Sequence, residues 1–467
     1  MDYGVTIEKG AAEWQIFQQD ETGTAQIVLE GRWKRVRLSQ ELPLTFTEIK
    51  EGAVTVKARV ALESSGESVL PWTICTAKAD GTWQVVFTVP AGGLYRIETY
   101  MEYEGWDGLS CTRGDMVHNV GVGDIFVVAG QSNAAGRAKN PVEDAPQLGV
   151  HLLRNSGTWA LATHPMGETT GSIHTGHFEN HTPGHTPWLH FGKMLQRELG
   201  YPVGFVMSAY GGAPLRWFNP DENGALYTNM LAQLAQYNIH PKAVLWCQGE
   251  AEGYENSAEA YLARFSAFVA AVRGALGQST LPFITVQINR CVSEASEALD
   301  RQWGMVRQAQ AQAMDTLDNV YTVPSNDVAM YDFIHNAAQG NLVIGERCAR
   351  CALAQLYGKK LEWRAPRVVK AALTAPQTVE VYFDRIYNWL NPFDVPAAQL
   401  PFNADDAEGL AEVESYVTHN DTLTLHFTRA LAPGAVLHGA WRTNPGTAVP
   451  CDCMRMPMLS FYGMKIE

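Results

Sequence analysis

The stretch that decides the fold is DIFVVAGQS, residues 124–132. It has the pattern of a short, wholly apolar strand that stops at Gly130 and then presents Ser132. A continuous apolar run of this kind is typical of the buried centre of a parallel sheet. Open α/β folds place their chemistry at the carboxyl ends of such strands. Ser132 is therefore a candidate nucleophile; a serine that caps the following helix is the alternative.

A base and an acid for such a nucleophile are present far downstream in DFIH, residues 332–335. A hydroxyl attacks an acyl carbon near neutral pH only when a base removes its proton and an acid orients that base. The three-residue spacing lets one turn hold the Asp332 carboxylate beside the His335 imidazole. The motif lies between a predicted strand (320–323) and a predicted helix (340–356). A surface turn capped by Asp332 is the alternative.

Two further predicted strands end in groups that could serve the same reaction. The strand 203–207 leads to Gly211, where a glycine can expose a backbone N–H group. The strand 243–247 leads to the side-chain amide of Gln248. The N–H groups of Ser132 and Gly211, together with Gln248, would form a three-donor oxyanion hole. A plain tight turn at Gly211 and a strand-end cap at Gln248 are the alternatives.

Four sequence blocks in this order resemble the SGNH (GDSL-like) hydrolases, and within them the sialate O-acetylesterase-like carbohydrate esterases. The blocks are GQSN (130–133), GG (211–212), WCQGE (246–250) and DFIH (332–335). The resemblance covers about half of the chain. It implies a flavodoxin-like three-layer α/β/α fold and a Ser132–His335–Asp332 triad. It also implies removal of O-acetyl groups from sugars. Many SGNH relatives carry an asparagine where this chain has Gln248, so the donor set stays open, and Glu250 is an alternative acid partner for His335.

Three regions follow one another along the chain. Residues 1–117 show short alternating segments split by Gly, Pro and Asp, which predicts an N-terminal β-sandwich. Residues 118–362 alternate apolar strands with helical stretches at 225–237, 257–276 and 298–316, which predicts a parallel sheet and the SGNH hydrolase domain. Strand patterns return in residues 363–467, a predicted C-terminal β-sandwich-like domain. The β regions either brace the catalytic domain, which we favour, or bind carbohydrate.

The overall composition excludes several classes of partner. The 467 residues include 35 basic and 49 acidic side chains, a net charge of −14, which argues against binding to nucleic acid or to an anionic membrane. No apolar run of about eighteen residues occurs, so no transmembrane helix is expected. The segment Met1–Glu8 lacks the basic and apolar regions of a leader, which predicts a cytoplasmic protein. A homo-oligomer is compatible with the sequence.

Neither the cysteines nor the histidines predict a metal site. The eight cysteines lack paired CxxC motifs with zinc spacing, so we expect free thiols. The segment 164–190 is rich in histidine, and His177, His181 and His185 lie four residues apart. Pro183 would break the helix that could align them. We therefore predict a polar active-site loop and no metal.

Substrate contacts are predicted in or just after the first three blocks and at the end of a further predicted strand, 283–288. The candidates are Gln131, Asn133, Arg216, Trp217, Glu250 and Asn289. Arg216 could bind a sugar ring oxygen or the carboxylate of a sialic acid, and Trp217 offers a stacking face. A surface ion pair and a half-buried packing tryptophan are the alternatives for these two residues.

The sequence thus predicts a serine carbohydrate O-acetylesterase that works through an acetyl-enzyme and needs no cofactor. Its expected substrate is an acetylated carbohydrate, either a hemicellulose oligosaccharide such as mannan or xylan, or sialic acid. A lipase or thioesterase on the same scaffold is one alternative, although the polar loop 164–190 does not suit a broad apolar cleft. A non-catalytic sugar-binding protein is the other, and it would be expected to lack a triad member.

Overall fold

A computed structural model describes residues 3–38, 46–49, 52–105, 108–293 and 296–467. Met1 and Asp2, which begin the N-terminal segment discussed above, lie outside these ranges. The chain forms two compact units. One unit comprises Met1–Ile125, Pro146–Ala162 and Gln196–Phe205, and the other comprises Phe126–Ala145, Thr163–Leu195 and Val206–Glu467.

The first 105 residues consist mainly of antiparallel strands. These are β1 (Gly4–Lys9), β2 (Ile16–Gln18), β3 (Thr24–Leu38), β4 (Phe46–Ile49), β5 (Val54–Leu62), β6 (Ser68–Ile74), β7 (Thr76–Ala77), β8 (Thr82–Pro90) and β9 (Gly92–Gly105). One sheet has the order β1-β3-β8-β7 with β4 beside β3, and β5 pairs with β6 and β9. Along β8, buried Trp83, Val85 and Phe87 alternate with more exposed residues, so one face of the strand meets the core. Strands of both groups contribute to this core.

The middle of the chain alternates strands with helices. The strands are β10 (Gly108–Gly130), β11 (Val150–Leu153), β12 (Trp159–Leu161), β13 (Val203–Ala209), β14 (Ala243–Cys247), β15 (Phe283–Val286) and β16 (Val320–Val323). The helices are α1 (Ser132–Ala135), α2 (Trp188–Leu199), α3 (Ala225–Gln236), α4 (Glu250–Tyr254), α5 (Tyr261–Leu276), α6 (Glu297–Thr316) and α7 (Ala338–Tyr357). The four helical stretches predicted from the sequence agree with α3, α5, α6 and α7 to within a few residues. The prediction of a mixed α/β protein is confirmed.

The strands that carry the predicted site run parallel to one another. β10 pairs with β14, β14 with β15 and β15 with β16, all in parallel. With β13 on the other side of β10, the order is β13-β10-β14-β15-β16. Every residue of β14 and β15 is buried, as expected for parallel strands covered on both faces. Because parallel strands end at the same edge, the residues that follow β10 and β14 are brought together there.

The C-terminal region is again built from strands. They are β17 (Arg367–Ala375), β18 (Thr378–Asp384), β19 (Leu390–Asn391), β20 (Phe402–Asp406), β21 (Gly409–Thr418), β22 (Thr422–Phe427), β23 (Val436–Gly439), β24 (Cys451–Asp452) and β25 (Phe461–Lys465). Seven of them form one sheet in the order β17-β18-β22-β21-β20-β23-β25. The buried guanidinium of Arg307 on α6 donates to the carbonyl groups of Ala440 (2.9 Å) and Arg442 (2.6 Å). Such buried polar contacts favour bracing over a tethered module.

Two expectations about the chain as a whole can be compared with the described residues. All eight cysteines are free, as predicted from the absence of paired zinc motifs. Within the described ranges, no helix has the length and apolar character needed to cross a membrane.

Candidate active site

Ser132 lies at a tight transition from strand to helix. β10 ends at Gly130, whose φ of +129° lies where glycine is favoured. A Cβ atom on Gly130 would lie 2.1 Å from the carbonyl oxygen of Cys247, so a side chain cannot be placed there. Ser132 then begins α1 and is 8% exposed. The local backbone thus presents the predicted nucleophile at the edge of the sheet.

The predicted acid and base form a hydrogen-bonded pair within one turn. His335 Nδ1 lies 2.7 Å from Asp332 Oδ2. The other oxygen of Asp332 accepts the backbone N–H groups of Ile334 (2.9 Å) and His335 (2.7 Å). Burial alone would raise the pKa of Asp332, but the hydrogen bonds from His335 and these backbone groups lower the pKa below its ordinary value. Asp332 is therefore placed to orient the imidazole as an ionised carboxylate.

The predicted nucleophile Ser132 and the predicted base His335 line the same cavity, which has a volume of about 410 Å³. Five residues predicted for the site contribute to its wall: Gln131, Ser132, Gly211, Glu250 and His335. The remaining lining residues are Arg137, His181, Gly212, Ala251, Tyr254, Glu255 and Ile334. The cavity thus has a wall with cationic, anionic and aromatic groups around the Ser132 and His335 side chains.

The three donors predicted for the oxyanion hole are not assembled. The N–H group of Gly211 donates to Glu179 Oε1 at 2.8 Å. The Glu179 carboxylate also pairs with the Arg137 guanidinium. Gln248 is fully buried, and its amide donates to the Ala213 carbonyl (3.2 Å) and to the Glu252 carboxylate. The predicted role of Gln248 as an oxyanion donor does not fit this arrangement, because its N–H groups point into the protein.

Glu252 is a buried acid that the sequence reasoning missed. Besides the Gln248 amide, its carboxylate accepts the backbone N–H group of Leu215 at 2.5 Å. Burial raises the pKa of Glu252 to about 7, although these hydrogen bonds oppose the rise. The sequence signal was weak, since Glu252 follows the third block by only two residues and lies among other acidic side chains.

Asn133 and Glu250 connect the turn that carries Ser132 to the turn that carries His335. Asn133 Nδ2 donates to Glu250 Oε1 at 2.7 Å, and Asn133 Oδ1 accepts the backbone N–H group of Asn336 at 3.0 Å. Burial raises the pKa of Glu250, and the hydrogen bond from Asn133 partly offsets the rise. Since Asp332 occupies Nδ1 of His335, Glu250 is not the acid that orients the imidazole in this structure. Asn133 holds protein groups together and does not line the cavity.

The other predicted substrate contacts lie off the cavity wall. Arg216 forms an ion pair with Glu255, which does line the cavity, and this carboxylate raises the pKa of the Arg216 guanidinium. The Trp217 ring packs edge-on against Tyr210 with the ring centroids 5.8 Å apart. Asn289 is buried and donates to Asn336 Oδ1 at 2.7 Å. For Arg216 and Trp217, the structure shows the ion pair and the packing contact named above as alternatives.

The histidines at four-residue spacing separate into three environments. His177 is buried, with Nε2 2.9 Å from the Ala209 carbonyl oxygen, and burial lowers its pKa to about 4. His181 lines the cavity. His185 Nε2 lies 3.1 Å from Asp144 Oδ2. The three imidazoles therefore do not share a helical face, in agreement with the predicted loop.

Comparisons with known proteins extend this picture. Residues 122–354 match the family model described as carbohydrate esterase, sialic acid-specific acetylesterase. Sialate O-acetylesterases from Pongo abelii and Homo sapiens are each 24% identical to this chain over an alignment 282 residues long, and the alignment covers 51% of this chain and 52% of theirs. The chain thus spans about half the length of these curated relatives.

A solved structure has the same fold over nearly the whole chain. A carbohydrate acetylesterase from Xanthomonas citri aligns with a TM-score of 0.65 at 20% identity, covering 98% of this chain and 99% of that chain. The family match bears out the resemblance of the four sequence blocks to the sialate O-acetylesterase-like carbohydrate esterases. Residues 122–354 thus form a domain of the sialic acid-specific acetylesterase family of carbohydrate esterases, which are carboxylic ester hydrolases.

Proposed function

We propose that this protein is a serine esterase that removes acetyl groups from carbohydrate hydroxyls through an acetyl-Ser132 intermediate. The observation that carries the proposal is the shared cavity of Ser132 and His335, with His335 Nδ1 held 2.7 Å from Asp332 Oδ2. Nucleophile, base and orienting acid are the three groups that this chemistry requires. The strand order β13-β10-β14-β15-β16 supports the flavodoxin-like three-layer arrangement as part of the proposal.

The reaction has two halves. In the first, His335 takes the proton of Ser132 as the hydroxyl oxygen attacks the acetyl carbonyl carbon, and Asp332 stabilises the imidazolium that forms. The sugar alcohol leaves with the proton from His335, and Ser132 carries the acetyl group. In the second, His335 takes a proton from water, which attacks the acetyl-enzyme, and the proton returns to Ser132. Acetate and a deacetylated sugar are the products.

The oxyanion would accept hydrogen bonds from two groups, one fewer than the sequence predicted. As the first residue of α1, Ser132 has an N–H group that lacks an acceptor within the helix, so it is available to the oxyanion. Gly211 would be the second donor, after its N–H group exchanges Glu179 Oε1 for the oxyanion. Gln248 would instead have a positioning role, because its amide donates a hydrogen bond to the buried carboxylate of Glu252.

The charges around the cavity favour a neutral sugar. Arg137 is paired with Glu179, and Arg216 is paired with Glu255. Each of these guanidinium groups is thus already matched by a carboxylate, and the chain carries a net charge of −14. We therefore expect acetylated mannan or xylan oligosaccharides to be hydrolysed at least as fast as O-acetylated sialic acid. A lipase or thioesterase, the alternative on the same scaffold, would prefer long acyl chains to acetyl.

Covalent trapping tests this proposal. A fluorophosphonate probe should add one label to the full chain, and peptide mass spectrometry should place that label on Ser132. The Ser132→Ala variant should stay unlabelled, whereas Ser415→Ala, which removes an exposed serine elsewhere, should be labelled like the wild type. Labelling at another serine would contradict the assignment. An unlabelled wild type would instead support the non-catalytic sugar-binding alternative.

Acetate release identifies the substrate class. Acetylated xylan, acetylated mannan and O-acetylated sialic acid are compared at equal acetyl concentration, together with aryl esters of increasing chain length. Faster release from sialic acid would contradict the neutral-sugar preference without affecting the role of Ser132. We also propose the three-domain division, the cytoplasmic location and a homo-oligomeric state. Limited proteolysis tests the first, cell fractionation the second and light scattering the third.

A further inference from the structure

A second cluster of titratable side chains lies in the same unit as the cavity. Asp144 Oδ2 is 2.9 Å from His164 Nε2 and 3.1 Å from His185 Nε2. The Asp144 side chain is 2% exposed, and that of His185 is 8% exposed. One oxygen and two ring nitrogens from these residues all lie within 4.8 Å of one another. We call Asp144, His164 and His185 the buried triad.

The two imidazoles are arranged to share one partner. The rings of His164 and His185 stack with centroids 3.9 Å apart and an interplanar angle of 26°. Both Nε2 atoms also lie within hydrogen-bond distance of the same oxygen, Asp144 Oδ2. Nitrogen and oxygen ligands at about 2.0–2.1 Å from a tetrahedral Zn²⁺ ion are about 3.3 Å apart. The observed oxygen–nitrogen separations of 2.9 and 3.1 Å are only a few tenths of an ångström shorter than this.

Two basic side chains on α2, Lys193 and His190, also lie beside Asp144. Lys193 Nζ lies 2.5 Å from Asp144 Oδ1, so the second carboxylate oxygen is already fixed. Outer contacts of this kind orient the ligand oxygen in metal sites. His190 Nδ1 lies 3.9 Å from the same oxygen, so a third imidazole lies beside Asp144. Lys193 and His190 therefore lie nearest to Asp144 Oδ1. The imidazoles of His164 and His185 lie nearest to Asp144 Oδ2.

We propose that the buried triad is a structural Zn²⁺ site, with His190 or a water molecule as the fourth ligand. Two imidazoles and one carboxylate suit Zn²⁺, whereas Mg²⁺ and Ca²⁺ prefer oxygen ligands alone. When the ion binds, one proton on each ring moves from Nε2 to Nδ1 and the Asp144 carboxylate stays ionised. No proton has to leave the site.

The site would fasten the loop that borders the cavity. His164 and His185 lie at the two ends of a segment that carries Glu179 and His181. His181 lines the cavity, and Glu179 holds the N–H group of Gly211. An ion shared by both ends and by Asp144 would fix this segment without touching the reacting atoms. The triad without metal, neutralised by Lys193, is the competing explanation.

Metal binding to the full chain separates these explanations. After chelation and dialysis, the wild type should bind about one equivalent of Zn²⁺ at micromolar concentration, and no Mg²⁺. Zn²⁺ should raise its melting temperature by several degrees, since a ligand of the native state stabilises it. Co²⁺ in place of Zn²⁺ should give the visible absorption of a tetrahedral ion with nitrogen and oxygen ligands.

Matched variants locate the site. His164→Gln and His185→Gln should each lower Zn²⁺ affinity at least about tenfold, with an unchanged far-UV circular dichroism spectrum. His240→Ala removes an exposed histidine outside the triad and should bind like the wild type. A wild type that binds no Zn²⁺ would overturn the site. So would triad variants that bind as tightly as His240→Ala. Neither result would bear on Ser132.

Discussion

The two sides of the cavity differ in how far apart along the chain their interacting residues lie. On the triad side, Asp332 and His335 lie three residues apart and meet at 2.7 Å. On the donor side, Gly211 meets Glu179 across 32 residues, and Gln248 is turned inward by Ala213 and Glu252. The comparison teaches that local spacing can build an acid–base pair, whereas the predicted oxyanion donors Gly211 and Gln248 also depend on contacts with groups 32 and 35 residues away along the chain.

Removing the acid should have the largest effect on the triad side. Asp332→Asn should lower kcat/KM for an aryl acetate about 10³- to 10⁴-fold, because an amide no longer holds the imidazole in the productive tautomer. Steady-state kinetics checks this. Glu250→Gln is the matched control and should cost less. A larger loss for Glu250→Gln than for Asp332→Asn would make Glu250 the acid partner.

On the donor side, Gly211→Ala should have the next largest effect. Its Cβ atom would lie 2.4 Å from Arg137 Nη2 and 2.7 Å from Glu179 Oε2, so the ion pair and the Gly211 backbone must shift apart. We expect kcat to fall about 10²-fold, the scale of one misplaced oxyanion donor. Gly274→Ala on α5, where a Cβ atom meets nothing within 4 Å, should leave kcat unchanged. Equal rates for both variants would remove Gly211 from the oxyanion hole.

Gln248→Ala separates an oxyanion donor from a positioning residue. We expect less than a tenfold fall in kcat, but a loss of about 1–3 kcal/mol in the free energy of unfolding, because buried Glu252 loses a hydrogen-bond donor. Denaturant unfolding and steady-state kinetics are measured on the same preparation. A fall of about 10²- to 10³-fold in kcat with unchanged stability would restore Gln248 to the oxyanion hole.

The smallest effect on rate is expected from Glu252, whose influence should show in stability. Burial raises its pKa to about 7 in the folded state, above the ordinary value of the unfolded chain. The folded state therefore binds the proton more tightly, and the contribution of Glu252 to stability is lost as the pH rises through about 7. Relative to Glu252→Gln, the wild type should lose on the order of 3 kcal/mol between pH 4.5 and 7. Parallel stability profiles for the two proteins would contradict the raised pKa.

The predictable parts of this molecule are those that short-range patterns encode. The apolar run before Ser132 predicted the last, parallel part of β10 and the position of Ser132 just after its carboxyl end, and helical periodicity predicted α3, α5, α6 and α7 to within a few residues. The DFIH spacing predicted a pair that one turn can close. Each of these depends on residues near one another in sequence, so propensity and spacing are sufficient.

The parts that escaped prediction depend on which buried polar groups become partners. Asn289 was expected to meet substrate, but it is buried against Asn336. Gln248 was expected to face the oxyanion, but Glu252 and the Ala213 carbonyl take its N–H groups. A buried polar group must find a partner, and a single sequence does not state which partner is within reach. The pairing of Glu179 with Gly211 escaped for the same reason.

The most direct test of the central claim is the esterase activity of Ser132→Ala. If Ser132 is the nucleophile, hydrolysis of an aryl acetate should fall below about one thousandth of the wild-type rate, while the circular dichroism spectrum and melting temperature stay close to those of the wild type. Ser415→Ala should keep full activity. Turnover by Ser132→Ala above that thousandth, in a folded protein, would contradict the account.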